Sequence, residues 1–171
     1  KRRDFGASFR ICPGELIGDE IAINRLEWRE LTMMMAACRE YRPELFIDVG
    51  ANIGLYSCIF GKSRLVPQAL AYEPNPDAFA QLVENIRRNG LTDIVKPRPF
   101  AVGARRGSAF LTVGPPENRG LSRVEEAAGE HEVVTVSLDE ELDLHDSVIA
   151  IKIDVEGYEL EVLAGAARLF S

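Results

Sequence analysis

Asp48, Glu73 and Asp154 each end a short apolar run that reads as a buried β-strand. Parallel α/β sheets bind ligands in the crevice beyond the carboxyl ends of their strands. Acids at three such ends can share one site. A carboxylate there accepts hydrogen bonds from an ammonium or a hydroxyl, or takes a hydroxyl proton as a general base. The first acid opens a glycine turn, Asp48-Val49-Gly50-Ala51-Asn52-Ile53-Gly54. Glycine at 50 lets the backbone turn sharply, and glycine at 54 lets a ligand or the strand come close. A helix starting at that turn offers backbone N–H groups to a carboxylate or phosphate.

The spacing separates two chemistries. Nucleotide-dependent oxidoreductases use Gly-x-Gly-x-x-Gly to cradle a pyrophosphate. Asp48-x-Gly50-x-x-x-Gly54 has one fewer glycine and an acid before the first. That acid repels a phosphate but accepts a hydrogen bond from an ammonium. S-adenosylmethionine carries an ammonium and a carboxylate and no phosphate. A glycine after a strand occurs in any parallel α/β protein, so the turn alone is a weak signal. Glu73 strengthens it: it stands about twenty residues on, where an acid can hold both ribose hydroxyls.

These residues need a sheet to position them. Residues 25–41 read as a helix, with Trp28, Leu31, Met35 and Cys38 at three- and four-residue steps and the run Met33-Met34-Met35 as core filling. A strand, 45–49, and a helix to Lys62 follow. The second strand is 69–73. Asn75 and Pro76 then suit the start of a helix whose apolar face is Ala78, Phe79, Leu82, Val83 and Ile86, closed by Asn89-Gly90. Strand, helix, strand, helix in this order implies an α/β fold with a parallel sheet and right-handed crossovers.

Residues 95–102 read as a third strand, weakened by two prolines, and 109–113 and 132–136 as two more. The long stretch 114–131 between them reads as a functional lid or a disordered insert. Ser137-x-x-Glu140 is a capping box. Val148 to Ile153 is the next core strand. A helix from Tyr158 to Phe170 follows, with Leu160, Leu163, Ala167 and Phe170 expected inward.

At 171 residues the chain suits one domain, with an irregular lead-in over 1–24 and the domain over 25–171. A net charge of -7 argues against general nucleic-acid binding. No apolar run has the length of a membrane span, and no signal-peptide pattern stands at the start. Lacking an initial methionine, the chain reads as a trimmed product. Cys12, Cys38 and Cys58 form neither a disulfide framework nor a zinc spacing, which points to a reducing, cytoplasmic setting. His131 and His145 are isolated, so no metal site is expected.

Three motifs carry a family resemblance. They are Phe46-Ile47-Asp48-Val49-Gly50-Ala51-Asn52-Ile53-Gly54, Tyr72-Glu73-Pro74-Asn75-Pro76, and Ile151-Lys152-Ile153-Asp154-Val155-Glu156-Gly157-Tyr158-Glu159. With the looser Asn118-Arg119-Gly120-Leu121-Ser122, the chain from about Glu27 onward resembles the FkbM-type family of S-adenosylmethionine-dependent methyltransferases. The resemblance implies a Rossmann-like class I methyltransferase sheet with helices on both faces. It implies transfer of a methyl group to a hydroxyl of a small-molecule or glycan acceptor, a sugar or a secondary metabolite. Asp48, Gly50, Ala51, Asn52 and Gly54 would hold the methionine part of the cofactor, Glu73 the ribose, and the turn at Phe100-Ala101 the adenine. Asp154 and Glu156 would face the acceptor below the methyl group. Asp154 is also expected to be desolvated, at the end of a buried strand, and suited to act as base.

The family pattern continues past the Asp154 strand with a further helix and about three strands. The C-terminal strands are therefore expected to be missing from this chain. The sheet edge left open offers a surface for a homodimer. A non-catalytic methyltransferase-like binding module is the alternative reading, and a nucleotide-dependent oxidoreductase is a weaker one.

Overall fold

A computed structural model of the chain describes residues 5–10, 28–115, 122–125, 128–143 and 147–171. The helices are α1 (Trp28–Tyr41), α2 (Leu55–Lys62), α3 (Pro76–Arg88), α4 (Leu138–Glu141) and α5 (Glu159–Ala164). The strands are β1 (Leu45–Val49), β2 (Gln68–Tyr72), β3 (Val95–Arg98), β4 (Ala101–Val102), β5 (Gly107–Thr112), β6 (Arg123–Glu125), β7 (His131–Val136) and β8 (Ile149–Ile153).

The first sheet has the order β3-β2-β1-β8, with every pair parallel. β1 is buried at all five positions, as a strand covered on both faces must be. Phe46 packs with buried residues of α1, α2 and α3 on one face. Leu45, Ile47 and Val49 pack with Leu138 of α4 and Val162 of α5 on the other. Helices thus cover both faces. The chain runs from β1 outward to β3 on one side and returns to β8 on the other, so strand direction of travel reverses at β1. Val49 is in register with both Tyr72 and Ile153. The carboxyl ends of β1, β2 and β8 therefore lie level, and Gly50, Glu73 and Asp154 follow side by side.

Local sequence explains the helix ends. Asn75 caps α3 as expected: its Oδ1 accepts from the N–H groups of Asp77 and Ala78 at 3.0 and 3.3 Å, and Pro76 takes the first position. Asn89 ends α3, and Gly90 follows at φ +68°. In α1, Leu31, Met35 and Cys38 are buried as the periodicity requires. Of the methionine run only Met35 is fully core, while Met33 is exposed. The expected start of that helix, 25–27, lies outside the described residues.

Several expectations are corrected. The strand predicted over 95–102 is two strands in two sheets. Pro99 has no N–H to continue the ladder, and Ala101-Val102 pair instead with Thr135-Val136 of β7. The second sheet has the order β4-β7-β5-β6, with β5 antiparallel to both neighbours. β6 stands inside the stretch read as a loop, and 116–121 and 126–127 lie outside the described residues. The capping box at Ser137 does not form: its hydroxyl donates to Gly165 O at 2.9 Å, tying α4 to the end of α5.

The last helix is shorter than expected and shows another face. Val162 and Ala166, four residues apart, are buried, whereas Leu160, Leu163 and Phe170 are exposed. The pair Val162/Ala166 meets the second core because Gly165 comes against the Gly103 carbonyl, where no larger residue fits. Among the described residues β8 pairs with β1 alone, and it is half-buried along its length.

Gly50 is the tightest point of the first sheet. Its φ is +75°, and a Cβ there would be driven into the carbonyl of Asp154. Gly50→Ala is expected to destabilise the fold by about 2–4 kcal/mol, from the left-handed backbone and the overpacking together. Urea denaturation measures it. A loss under about 0.5 kcal/mol would show that the β1 and β8 ends can part freely.

Candidate functional site

The turn after β1 spends its own amides. Gly50 and Ala51 donate to Tyr72 O at 3.0 and 2.9 Å, and Gly54 donates to Ala51 O. Asn52, at φ +49°, directs its N–H to Glu73 Oε2 at 2.8 Å. Glu73 Oε1 accepts from the N–H of Asn75 at 2.9 Å. One carboxylate thus clamps the β1 turn to the β2 turn. A carboxylate has about four acceptor directions, so the clamp leaves capacity for further donors.

Burial dominates the Glu73 environment and pushes its carboxyl up to about 7. The two backbone N–H groups and the Lys152 ammonium oppose that shift, and Asp48 adds to it.

Asp48 is fully buried under the turn. Its Oδ2 accepts from the N–H and the hydroxyl of Ser57 in α2, at 3.2 and 2.7 Å. Its Oδ1 has no hydrogen bond and faces Lys152 Nζ at 3.6 Å. Asp48 therefore takes up one of the helix donors that the sequence reading offered to a ligand. It also adds to the burial that pushes the Cys58 thiol up to about 12, which makes Cys58 an inert core residue. Gly54 faces the side chain of Leu82 in α3, so its missing Cβ serves helix packing.

Asp154 differs from expectation. Its N–H donates to Val49 O at 3.1 Å, but its side chain is 62 % exposed and ion-paired with Lys152 at 3.2 Å. The strand end is buried only on its backbone side, so burial does not desolvate this carboxylate. Glu156 is also exposed and takes φ +47°, followed by Gly157 at +97°. Two successive left-handed residues are uncommon and mark a loop shaped by its surroundings.

Ala101 is buried in β4 and, with Val49, Gly50, Tyr72, Phe100 and Tyr158, lines a narrow apolar cleft beside Glu73. Val124 is part of that lining, and Ser122 stands two residues before it. Its Oγ accepts from Asn75 Nδ2 at 3.2 Å and from the Gly114 N–H at 3.1 Å. Residues 118–121 of the Asn-x-Gly-x-Ser segment lie outside the described residues.

The structure thus sets Gly50, Glu73 and Asp154 side by side at the strand ends, with Ala51 and Asn52 in the same turn, Asp48 buried beneath it, Gly54 packed on α3, Glu156 on the loop after β8, and Ala101 on the wall of the apolar cleft that Gly50 also lines. Sequence reasoning passed over Lys152 and Ser57. Lys152 carried a signal: it is a lone charge inside an apolar strand, two residues from Asp154 and so on the same face. Ser57 carried none, because a serine in an amphipathic helix is unremarkable. Among the described residues no group of three His, Cys, Asp or Glu could hold a metal, and no helix is long and apolar enough to cross a membrane.

The methyltransferase FkbM domain matches residues 48–171. The chain belongs to the FkbM methyltransferase family. It is 36 % identical over 120 residues to the hexuronic acid methyltransferase AglP of Haloferax volcanii, covering 69 % of this chain and 48 % of that protein. It is 31 % identical over 154 residues to the methyltransferase sdnD of Sordaria araneosa, covering 70 % of this chain and 59 % of that protein. The chain thus spans about half the length of these relatives. In fold it is similar to the crystal structure of a methyltransferase FkbM from Methylobacillus flagellatus KT, with a TM-score of 0.53 at 22 % identity, over 74 % of this chain and 29 % of that one.

Glu73 yields a pH prediction. Its folded value of about 7 lies above the ordinary 4.5, so the native state binds more protons between the two. Its contribution to stability is full below about pH 4.5 and is lost as pH rises through about 7. Glu73→Gln does not titrate. Between about pH 5 and pH 8 the stability difference should move in favour of Glu73→Gln by about 1–3 kcal/mol. Denaturation midpoints across that range measure it, and a flat difference would contradict the buried-acid environment.

Proposed function

We propose that the protein is an S-adenosylmethionine-dependent O-methyltransferase that methylates a hydroxyl of a sugar or secondary metabolite. The observation that carries this reading is the cluster of acids at the strand ends: Glu73 and Asp154 flank Gly50, and Asp48 lies two residues before it in β1, beneath a turn in which the amides of Gly50, Ala51, Asn52 and Gly54 are already engaged. A pyrophosphate would meet carboxylates there and find the N–H groups of Gly50, Ala51, Asn52, Gly54 and Ser57 already engaged. A cofactor with an ammonium, a sulfonium and a ribose diol meets acceptors.

The donor set fits such a group. Glu73 bears the cost of burial, and two hydroxyl donors would offset it by stabilising the ionised form. Gly50, Ala51, Asn52 and Gly54 shape the cradle above Asp48 for the amino-acid part. Ala101 and Phe100 supply an apolar wall for a flat base. When bound, S-adenosylmethionine supplies an electrophilic methyl on a positive sulfur. The chain's task is then to orient an acceptor hydroxyl and receive its proton. Asp154 is open to solvent on the crevice rim and takes that proton as general base. Glu156, on the same loop, faces the acceptor. The relative named as a hexuronic acid methyltransferase supports a sugar acceptor.

Among the described residues the outer edge of β8 is unpaired and Val148, just before it, is exposed, which supports pairing with a second copy. Gel filtration with light scattering decides between one copy and two.

Calorimetric titration with S-adenosylhomocysteine and with NAD tests the cofactor. Binding of the first alone is expected, and binding of NAD alone would overturn the reading. With a sugar panel and methyl-labelled cofactor, Asp154→Asn should lower turnover by about 10²–10⁴. Its affinity for S-adenosylhomocysteine should change much less. Loss of affinity with normal single-turnover transfer would make Asp154 a cofactor ligand instead.

A further inference from the structure

Lys152 lies within β8 between Ile151 and Ile153, with its side chain only 15 % exposed. Its ammonium donates to the Gly50 carbonyl at 3.0 Å and stands 3.2 Å from Asp154 Oδ2 and 3.6 Å from Asp48 Oδ1. The Tyr56 ring lies below it, with the centroid at 5.2 Å. Burial by itself would make this lysine easier to deprotonate, but Asp48, Asp154 and the hydrogen bond with Asp154 outweigh burial and hold its value above the ordinary one. The side chain is therefore charged.

A buried ammonium needs one good partner to offset desolvation, and Asp48 is in register beside it. A plain core ion pair would stop there. Lys152 goes on to hold two groups that belong to the crevice: the carbonyl of the residue that begins the turn, and the exposed carboxylate on the rim. Without it, Asp48 and Asp154 would face the same turn with no charge between them, and the Gly50 carbonyl would lose its partner.

We propose that Lys152 is a positioning residue for methyl transfer, holding Asp154 against the Gly50 turn and leaving the cluster of Asp48, Lys152 and Asp154 with one net negative charge to match a cationic cofactor. This rests on the reading under Proposed function. The charge has a consequence for selectivity. S-adenosylmethionine and S-adenosylhomocysteine share every polar group of the amino acid and nucleoside, and differ by the methylsulfonium charge. Removing the ammonium makes the cluster more negative, which favours the sulfonium over the neutral thioether, while the loosened turn weakens both.

Calorimetric titration of wild type, Lys152→Met and Asp48→Asn/Lys152→Met with both ligands tests this. The double variant removes both ends of the buried pair, so no buried charge is left without its partner if Lys152→Met fails to fold. Both variants are expected to bind S-adenosylhomocysteine at least about tenfold more weakly than wild type, since a charge-assisted hydrogen bond supporting the turn is gone. In Lys152→Met the ratio of S-adenosylmethionine to S-adenosylhomocysteine affinity should rise at least about threefold, by the Coulomb argument. In the double variant, where one aspartate remains, the ratio should return to that of wild type. A role in folding alone would lower the melting temperature and leave the affinity and the ratio of the folded protein unchanged, and either unchanged value overturns the proposal. If wild type itself binds neither ligand, the cofactor reading falls first.

Discussion

The contact on which the rest depends is the approach of the Gly50 backbone to the Asp154 carbonyl. It exists because residue 50 has no Cβ and because β1 and β8 run parallel in register up to that point. With the two strand ends so close, the acid after β8 and the turn after β1 share one crevice. A single added carbon would push them apart and separate the proposed base from the proposed cofactor cradle. Glycine at 50 is therefore needed first by the protein's own backbone, before any ligand enters the account.

Around that contact the charges are arranged by burial. Asp48, fully enclosed, is spent on Ser57 and Lys152 and acts as a foundation for the turn. Glu73, also enclosed, joins two turns through their N–H groups, and burial pushes its carboxyl up. Asp154 stands in the open with one lysine at its side. All three lie at or next to a strand end, and depth separates them: the inner two are spent on the turns and on α2, and the outer one is open to solvent.

The parallel core was legible because its signals are local. Apolar runs ending in an acid or glycine marked β1, β2 and β8, and Asn75-Pro76 and Asn89-Gly90 marked both ends of α3. What was not legible depends on distant partners. Nothing near Pro99 says that the next two residues will pair with Thr135-Val136 in another sheet. The alternation of Leu160, Leu163 and Phe170 suggested an inward face, yet Gly165 meeting Gly103 turns Val162 and Ala166 inward instead. Lys152 was visible as an oddity in its strand, but its three partners come from β1, the turn after it and the end of β8, and only the register brings them together.

Ser122 gives the fold a seam. Its hydroxyl receives the Gly114 amide and the Asn75 carboxamide together, and the same Asn75 side chain starts α3. The stretch just after β5 and the residue just before β6 are therefore tied at one hydroxyl. Closing a longer segment over fixed ends costs little, since loop entropy grows only with the logarithm of length. The two ends that this segment joins are fixed by the hydroxyl itself, at Gly114 and Ser122. Removing that one hydroxyl would release the end of a strand and the start of a helix together, so a single small side chain couples the second sheet to the start of α3.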